Sequence, residues 1–190
     1  MRKALLVGAG WLLALAAFAH VTPNVTLVRH GDFVKQSFPE NTSFFEKVLR
    51  LEPAEAAAIQ ASTGWSPSDE EARVYVGRND RKELLGTVIF VWMPSQHGPV
   101  GVGVAFDAEG SIRQATVTDV GSEPLNWVRP LLQAEGMAAL SGLSQSTSPD
   151  PSRIGPGVTG NMSRYYAKVI ADGVARAQAL ERLVRSRPRG

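Results

Sequence analysis

The residues best placed to do chemistry lie between positions 154 and 184. There Ile154-Gly155-Pro156-Gly157-Val158-Thr159-Gly160-Asn161-Met162-Ser163 runs directly into a long helical pattern. A helix start leaves its first backbone N–H groups without partners and carries the positive end of the macrodipole. A phosphate is held at such a place without any charged side chain. The junction is therefore a candidate anion site. Other chemistries find less to work with. The chain has no cysteine, which excludes disulfides, zinc–cysteine sites, iron–sulfur clusters, Cys-x-x-Cys-His haem attachment and thiol nucleophiles. The three histidines, His20, His30 and His97, are scattered without metal-ligand spacing. No Ser/His/Asp arrangement is suggested, and His97, within Ser95-Gln96-His97-Gly98-Pro99, reads as a solvated turn residue between strands.

Composition bounds what must position these residues. With 190 residues, 44% of them apolar and 20% charged, the chain suits one modest domain plus an appendage. A net charge of +2 and the lack of a basic stripe interleaved with aromatics argue against nucleic acid as a partner. Arg2 and Lys3 precede an apolar run over residues 4–19, and Ala17-Phe18-Ala19 offers a small-x-small cleavage site. That is the layout of a secretory signal, or of an uncleaved anchor. By the positive-inside rule everything after Val21 then lies outside the cytoplasm, on the periplasmic side, tethered to the membrane or released from it. Arg129 and the tail residues Arg182, Arg185, Arg187 and Arg189 supply positive charge for a phosphate, an acidic lipid or a partner's carboxylates.

The soluble part reads as α+β, an antiparallel sheet of about four strands packed against helices. Residues 44–64 suggest two short helices, the second starting near Glu52 where Pro53 and Glu55 give an N-terminal signature. Strands are expected at residues 73–77, 84–93, 100–106 and 112–120. Their separators, Asn79-Asp80 and Asp107-Ala108-Glu109-Gly110, are turn chemistry too short for crossover helices, so the strands form a meander. Residues 127–140 read as a helix, 141–157 as a long polar loop and 162–185 as the last helix. The helix carries a stripe of Tyr166, Val169, Ile170, Val174, Ala177, Leu180 and Val184 at helical spacing, which must pack on the sheet. The expected organisation is a signal or anchor at 1–21, an extended linker at 22–43, a domain at 44–185 and a basic tail at 186–190.

The order of these elements and several short motifs resemble the FMN-binding domain family, which includes the flavin-carrying subunits of sodium-pumping quinone reductase and Rnf-type complexes. Phe38-Pro39 followed by Phe44-Phe45-Glu46-Lys47-Val48 looks like the family's opening segment, and Leu85-Gly86-Thr87-Val88-Ile89 like its leucine-glycine-aromatic strand. The stretch from Val102 to Ile112, with Asp107-Ala108-Glu109-Gly110, is similar to its Asp-x-x-Gly hairpin. Ser122-Glu123-Pro124-Leu125 resembles the Glu-Thr-Pro-Gly element that lies near the isoalloxazine. Thr159-Gly160-Asn161-Met162-Ser163, ahead of Ala171-Asp172-Gly173-Val174, sits where the family has Ser-Gly-Ala-Thr and its helix.

The resemblance implies FMN with its phosphate at the N–H groups of Gly160 to Ser163 and its ring near Glu123, Pro124 and Trp127. It also carries departures. Met162 stands where the family's threonine would take a phosphoester bond, and Met has no hydroxyl to esterify; Ser163 and Thr159 are displaced by one residue or more. Asn126 and Trp127 stand where Gly-Leu-Gly is usual, so bulk replaces a close backbone approach. Two readings follow. One is a membrane-tethered accessory subunit of a membrane electron-transfer complex, more structural than catalytic, its flavin lost or noncovalent. The other is an active electron carrier with noncovalent FMN. A secreted module for a small ligand is a third.

Overall fold

The structure is a computed structural model that describes residues 23–40, 43–67, 72–133 and 135–187. The expected signal or anchor at 1–21, together with His20, lies outside the described residues. Among the described residues no helix is long and apolar enough to cross a membrane.

The chain is α+β, with six strands in one curled antiparallel sheet. In chain order the elements are β1 (Asn24–Thr26), α1 (His30–Ser37), β2 (Ser43–Leu49), α2 (Pro53–Thr63), β3 (Ala72–Arg78), β4 (Leu84–Met93), β5 (Val100–Asp107), β6 (Ile112–Gly121), α3 (Leu125–Leu132) and α4 (Asn161–Ser186). The strand order is β1-β6-β5-β4-β3-β2. Strands β3 to β6 form the expected meander, joined by short turns, and β2 pairs with β3 across a connection that contains α2. β1 closes the far edge by pairing antiparallel with β6, Val25 opposite Val120.

Pleating sorts the side chains of the central strands to two faces. On one face, Ile89, Val91, Met93, Val102, Val104, Phe106 and Val117 meet Tyr166, Ile170, Val174, Ala177 and Leu180 of α4 in the main core. The stripe expected from helical spacing is the buried face of α4, and each aliphatic side chain fully buried there contributes about 1.5–3 kcal/mol. Gly173 allows the close approach: a Cβ there would sit 3.0 Å from Met93 and Val102. On the other face α1 inserts Phe33, Val34 and Phe38 against Val88 and Ala105. Gly103 makes room for it, since a Cβ there would lie 3.1 Å from the Phe33 ring.

Three expectations need correction. The first of the two helices expected between 44 and 64 is instead the edge strand β2, paired with β3 in continuous register from Ser43↔Arg78 to Leu49↔Ala72. Its apolar residues divide between two faces, with Leu49 in the main core and Phe44 against the smaller cluster, a pattern that short helical periodicity imitates. The second is α2 as expected: Glu52 caps it, its N–H donating to Glu55 Oε2 at 2.8 Å, and Gly64 ends it in the left-handed conformation. Residues 22–43, expected as an extended linker, contain β1 and α1; Phe33 and Phe38 are buried. The helix expected at 127–140 is split, α3 ending at Leu132 and a 3₁₀ turn following at Ala138–Leu140. Gly136 turns the chain between them, its N–H donating to Gln133 O at 2.8 Å. The sheet also has two strands more than the four expected.

The polar loop after Leu140 is fastened to α4 by the buried Gln178, whose Nε2 donates to the carbonyls of Ser144 at 2.8 Å and Thr147 at 3.1 Å. One turn on, Glu181 is fully buried. Its carboxylate accepts from Thr87 Oγ1 at 2.6 Å and from Arg185 Nε at 2.7 Å. Arg185 also donates to the carbonyls of Ala108 and Asp107, tying the β5–β6 hairpin to the helix. Burial pushes the Glu181 carboxyl above its ordinary value of 4.5, and the bonds from Thr87 and Arg185 only partly oppose this. The folded state therefore holds the proton more tightly than the unfolded chain. The stability this gives is full below the ordinary value and is lost as pH rises through the raised one. Glu181→Gln keeps an acceptor for Thr87 and has no proton to lose. Its Tm relative to wild type is expected to rise as the pH is taken upward from the ordinary value of 4.5; a difference independent of pH would contradict the assignment.

Candidate functional site

The sequence places candidate residues in two stretches, 122–127 and 159–163, and the structure brings the first against the second turn of α4. The β4–β5 turn, residues 94–99, is the third wall. Ser95 Oγ donates to Gly98 O within this turn and lies 3.2 Å from Tyr166 Oη. Its single proton is committed to Gly98, so the Tyr166 hydroxyl is the donor of that second bond. Tyr165 Oη accepts from Gln96 N–H at 3.1 Å. Consecutive tyrosines at the start of α4 thus clamp one turn.

His97, on the same turn, places Nδ1 2.9 Å from Glu123 Oε1. Its ring lies 5.2 Å from that of Trp127, and Trp127 stacks on Tyr166 with centroids 6.0 Å apart and planes 14° apart. Tyr166 is fully buried; desolvation raises its hydroxyl above the ordinary value, and the Glu123 charge adds to the shift. The phenol therefore stays protonated and serves as a donor. His97 and Glu123, 28% and 47% exposed, form a solvent-accessible pair. Ser95 is not activated by this pair, because its contact with His97 is through the backbone N–H at 3.4 Å rather than the ring. The arrangement is not a hydrolytic triad.

Pro124 caps α3 at the edge of this cluster, and Trp127 is half-buried. Thr159, Gly160 and Asn161 are exposed at the start of α4, Met162 packs partly against the main core, and Ser163 is buried. Gly160 caps the helix with no side-chain hydrogen bond. Arg164 N–H already donates to Gly160 O at 3.0 Å, and Arg164 Nη2 donates to Asn161 Oδ1 at 2.6 Å. A phosphate fits this start, which offers the first-turn N–H groups beside a guanidinium. A flavin ring does not fit with equal ease, because Trp127 is already engaged by Tyr166 and His97. Tyr165, Tyr166 and Ser95 were not among the sequence candidates. The Tyr-Tyr pair one turn after the helix start was the available signal.

Of the remaining candidates, His30 stacks flat on Phe90, centroids 3.9 Å apart, on the other face of the sheet. Among the described residues no cluster of three His, Cys, Asp or Glu side chains is placed to hold a metal. Of the arginines near the C-terminus, Arg182, Arg185 and Arg187 are tied into the fold, and Arg189 lies outside the described residues. Arg182 donates to Gln145 O, and Arg187 pairs with Glu55 and donates to Arg50 O at 2.7 Å. Neither the family models nor the curated proteins nor the solved structures compared with this chain match it.

Trp127 and Gly160 differ in what they support. Trp127→Ala removes the stack with Tyr166 and a half-buried indole, and is expected to lower stability by about 2 kcal/mol. Gly160→Ala meets nothing nearer than Ser163 Oγ at 3.7 Å and is expected to change stability by less than about 0.5 kcal/mol. Urea unfolding of both variants checks the pair.

Proposed function

We propose that this chain is a membrane-tethered, extracytoplasmic accessory subunit of an electron-transfer complex, built on an FMN-binding-like domain whose flavin is lost or held without a covalent bond. The observation that carries the reading is the closed stack of Trp127 on Tyr166, with Glu123 engaged by His97. The aromatic face and the acidic residue that the resemblance assigns to the ring are occupied by the chain's own side chains. Met162 offers no hydroxyl for a phosphoester and is turned partly into the core. The apolar run at 4–19 supplies the tether, and its basic flank sets the orientation.

The alternative, an active carrier with noncovalent FMN, is favoured by one feature. The start of α4 at Gly160 is open, uncapped by any side chain and flanked by Arg164. When bound, FMN would supply the redox chemistry; the chain would contribute the first-turn N–H groups and Arg164 to hold its phosphate. Extraction from native membranes in mild detergent separates the readings. The accessory reading expects a colourless polypeptide of unmodified mass that migrates with a larger, pigmented assembly. A free, yellow monomer would overturn it, and FMN released on denaturation would establish the carrier.

A further inference from the structure

The two edges of the sheet are finished differently. β1, at one edge, has three residues, too few to template a partner. β2, at the other, has seven, Ser43–Leu49, in register with β3 along its whole length and without a bulge. An edge strand turns alternate N–H and C=O groups outward, and natural sheets shorten, bend or cover such an edge. This edge is open, because the four consecutive residues Phe45, Glu46, Lys47 and Val48 are exposed. Phe45, at 55%, and Val48, at 44%, are two of the three exposed large apolar side chains described. No proline interrupts the strand.

Strand parity sends Phe44, Glu46 and Val48 to the α1 face and Phe45, Lys47 and Leu49 to the α4 face. A strand that docks here must bring apolar side chains opposite Phe44 and Val48. β2 itself, run antiparallel, brings them. A two-fold axis normal to the sheet keeps the same face upward in both copies, so only residues of equal parity oppose each other. The register that pairs all seven residues centres on Glu46. It sets Phe44 against Val48 of the second copy, and Phe45 against Lys47 of the second copy, an ammonium beside an aromatic face. Glu46 meets its own counterpart on the axis. Each Glu46 carboxylate already has Arg73 Nη1 at 3.3 Å, so the axis collects two carboxylates and two guanidiniums with no net charge. Moving the axis to Lys47 would oppose two lysines, and moving it to Phe45 would carry Val48 past the end of the partner strand.

We propose that two copies of this chain pair through their β2 strands, antiparallel about Glu46, to form one continuous sheet. The backbone groups of the edge supply the hydrogen bonds, and the opposed side chains fix the register. The interface goes beyond the accessory-subunit reading and does not depend on it, since it shares no residue with the Trp127 cluster.

The chain has no cysteine, so a single introduced thiol reports the register. In the full chain in mild detergent, Glu46→Cys is expected to form a disulfide-linked dimer on oxidation with copper phenanthroline. Opposed Cα atoms about 4.5–5.5 Å apart suit that bond. Trp92→Cys, at a residue 49% exposed but two strands in from the edge, is expected not to crosslink. Sedimentation equilibrium is expected to show a dimer whose dissociation constant rises at least tenfold in Phe45→Lys, which opposes two cations. Combining Phe45→Lys with Lys47→Glu opposes a cation and a carboxylate, and is expected to restore the dimer. Circular dichroism verifies that each variant folds. A monomeric wild-type chain, a dimer unchanged by Phe45→Lys, no recovery in the double variant, or crosslinking of Trp92→Cys as fast as that of Glu46→Cys would each overturn the assignment.

Discussion

The fold depends on one contact, the apolar face of α4 laid across the curled sheet. A sheet of this kind has a wide apolar face that must be covered, and α4, at 26 residues, is the longest of the described helices and covers it. Over its length of about 39 Å, at 1.5 Å per residue, it packs against the core from Met162 to Val184. Both ends project to the rims of the sheet. The N-terminal end meets the β4–β5 turn and α3, and the C-terminal end meets the edge strand β2 and the β5–β6 hairpin. The aromatic cluster of Trp127 and Tyr166 sits at the first of these ends.

The two faces of the sheet divide labour unequally. The α4 face holds most of the core, while the eight-residue α1 covers only the middle of the other face through Phe33 and Phe38. Gly103 and Gly173 permit the approaches on either side. The interior also carries charge, since Glu181 is buried under the helix and matched by Arg185 and Thr87. Such a group binds the helix, β4 and the hairpin into one register, because any slip of α4 would strand the carboxylate.

Much of this was legible in the residues, for physical reasons that differ by element. β4 to β6 are continuous runs of β-branched and aromatic residues between turn chemistry, and their bounds fall within a residue of expectation. α4 is long and strongly periodic, so its stripe named its buried face. β2 was misread because Phe44, Phe45, Val48 and Leu49 satisfy a helical spacing and do not alternate, so that only pairing with β3 shows the strand. β1 and α1 are too short for periodicity; their burial comes from tertiary contacts of Phe33 and Phe38. Of the site, Glu123 was singled out by its place in Ser122-Glu123-Pro124-Leu125, and Trp127 as the bulky residue that follows it. The partners that engage them, His97 and Tyr166, come from elements 26 and 39 residues from Glu123 and Trp127, and no local pattern joins them.

Trp127 and Tyr166 are stacked on each other, at the place that the proposed reading assigns to a flavin ring. The indole N–H of Trp127 reports on this directly, as one of four tryptophan signals in a nitrogen–proton NMR spectrum of the full chain. Titration with FMN is the measurement. The predicted result is that the Trp127 signal stays in place. A saturable shift of the Trp127 signal on adding FMN would contradict it, and would show the stack opening to admit the ring.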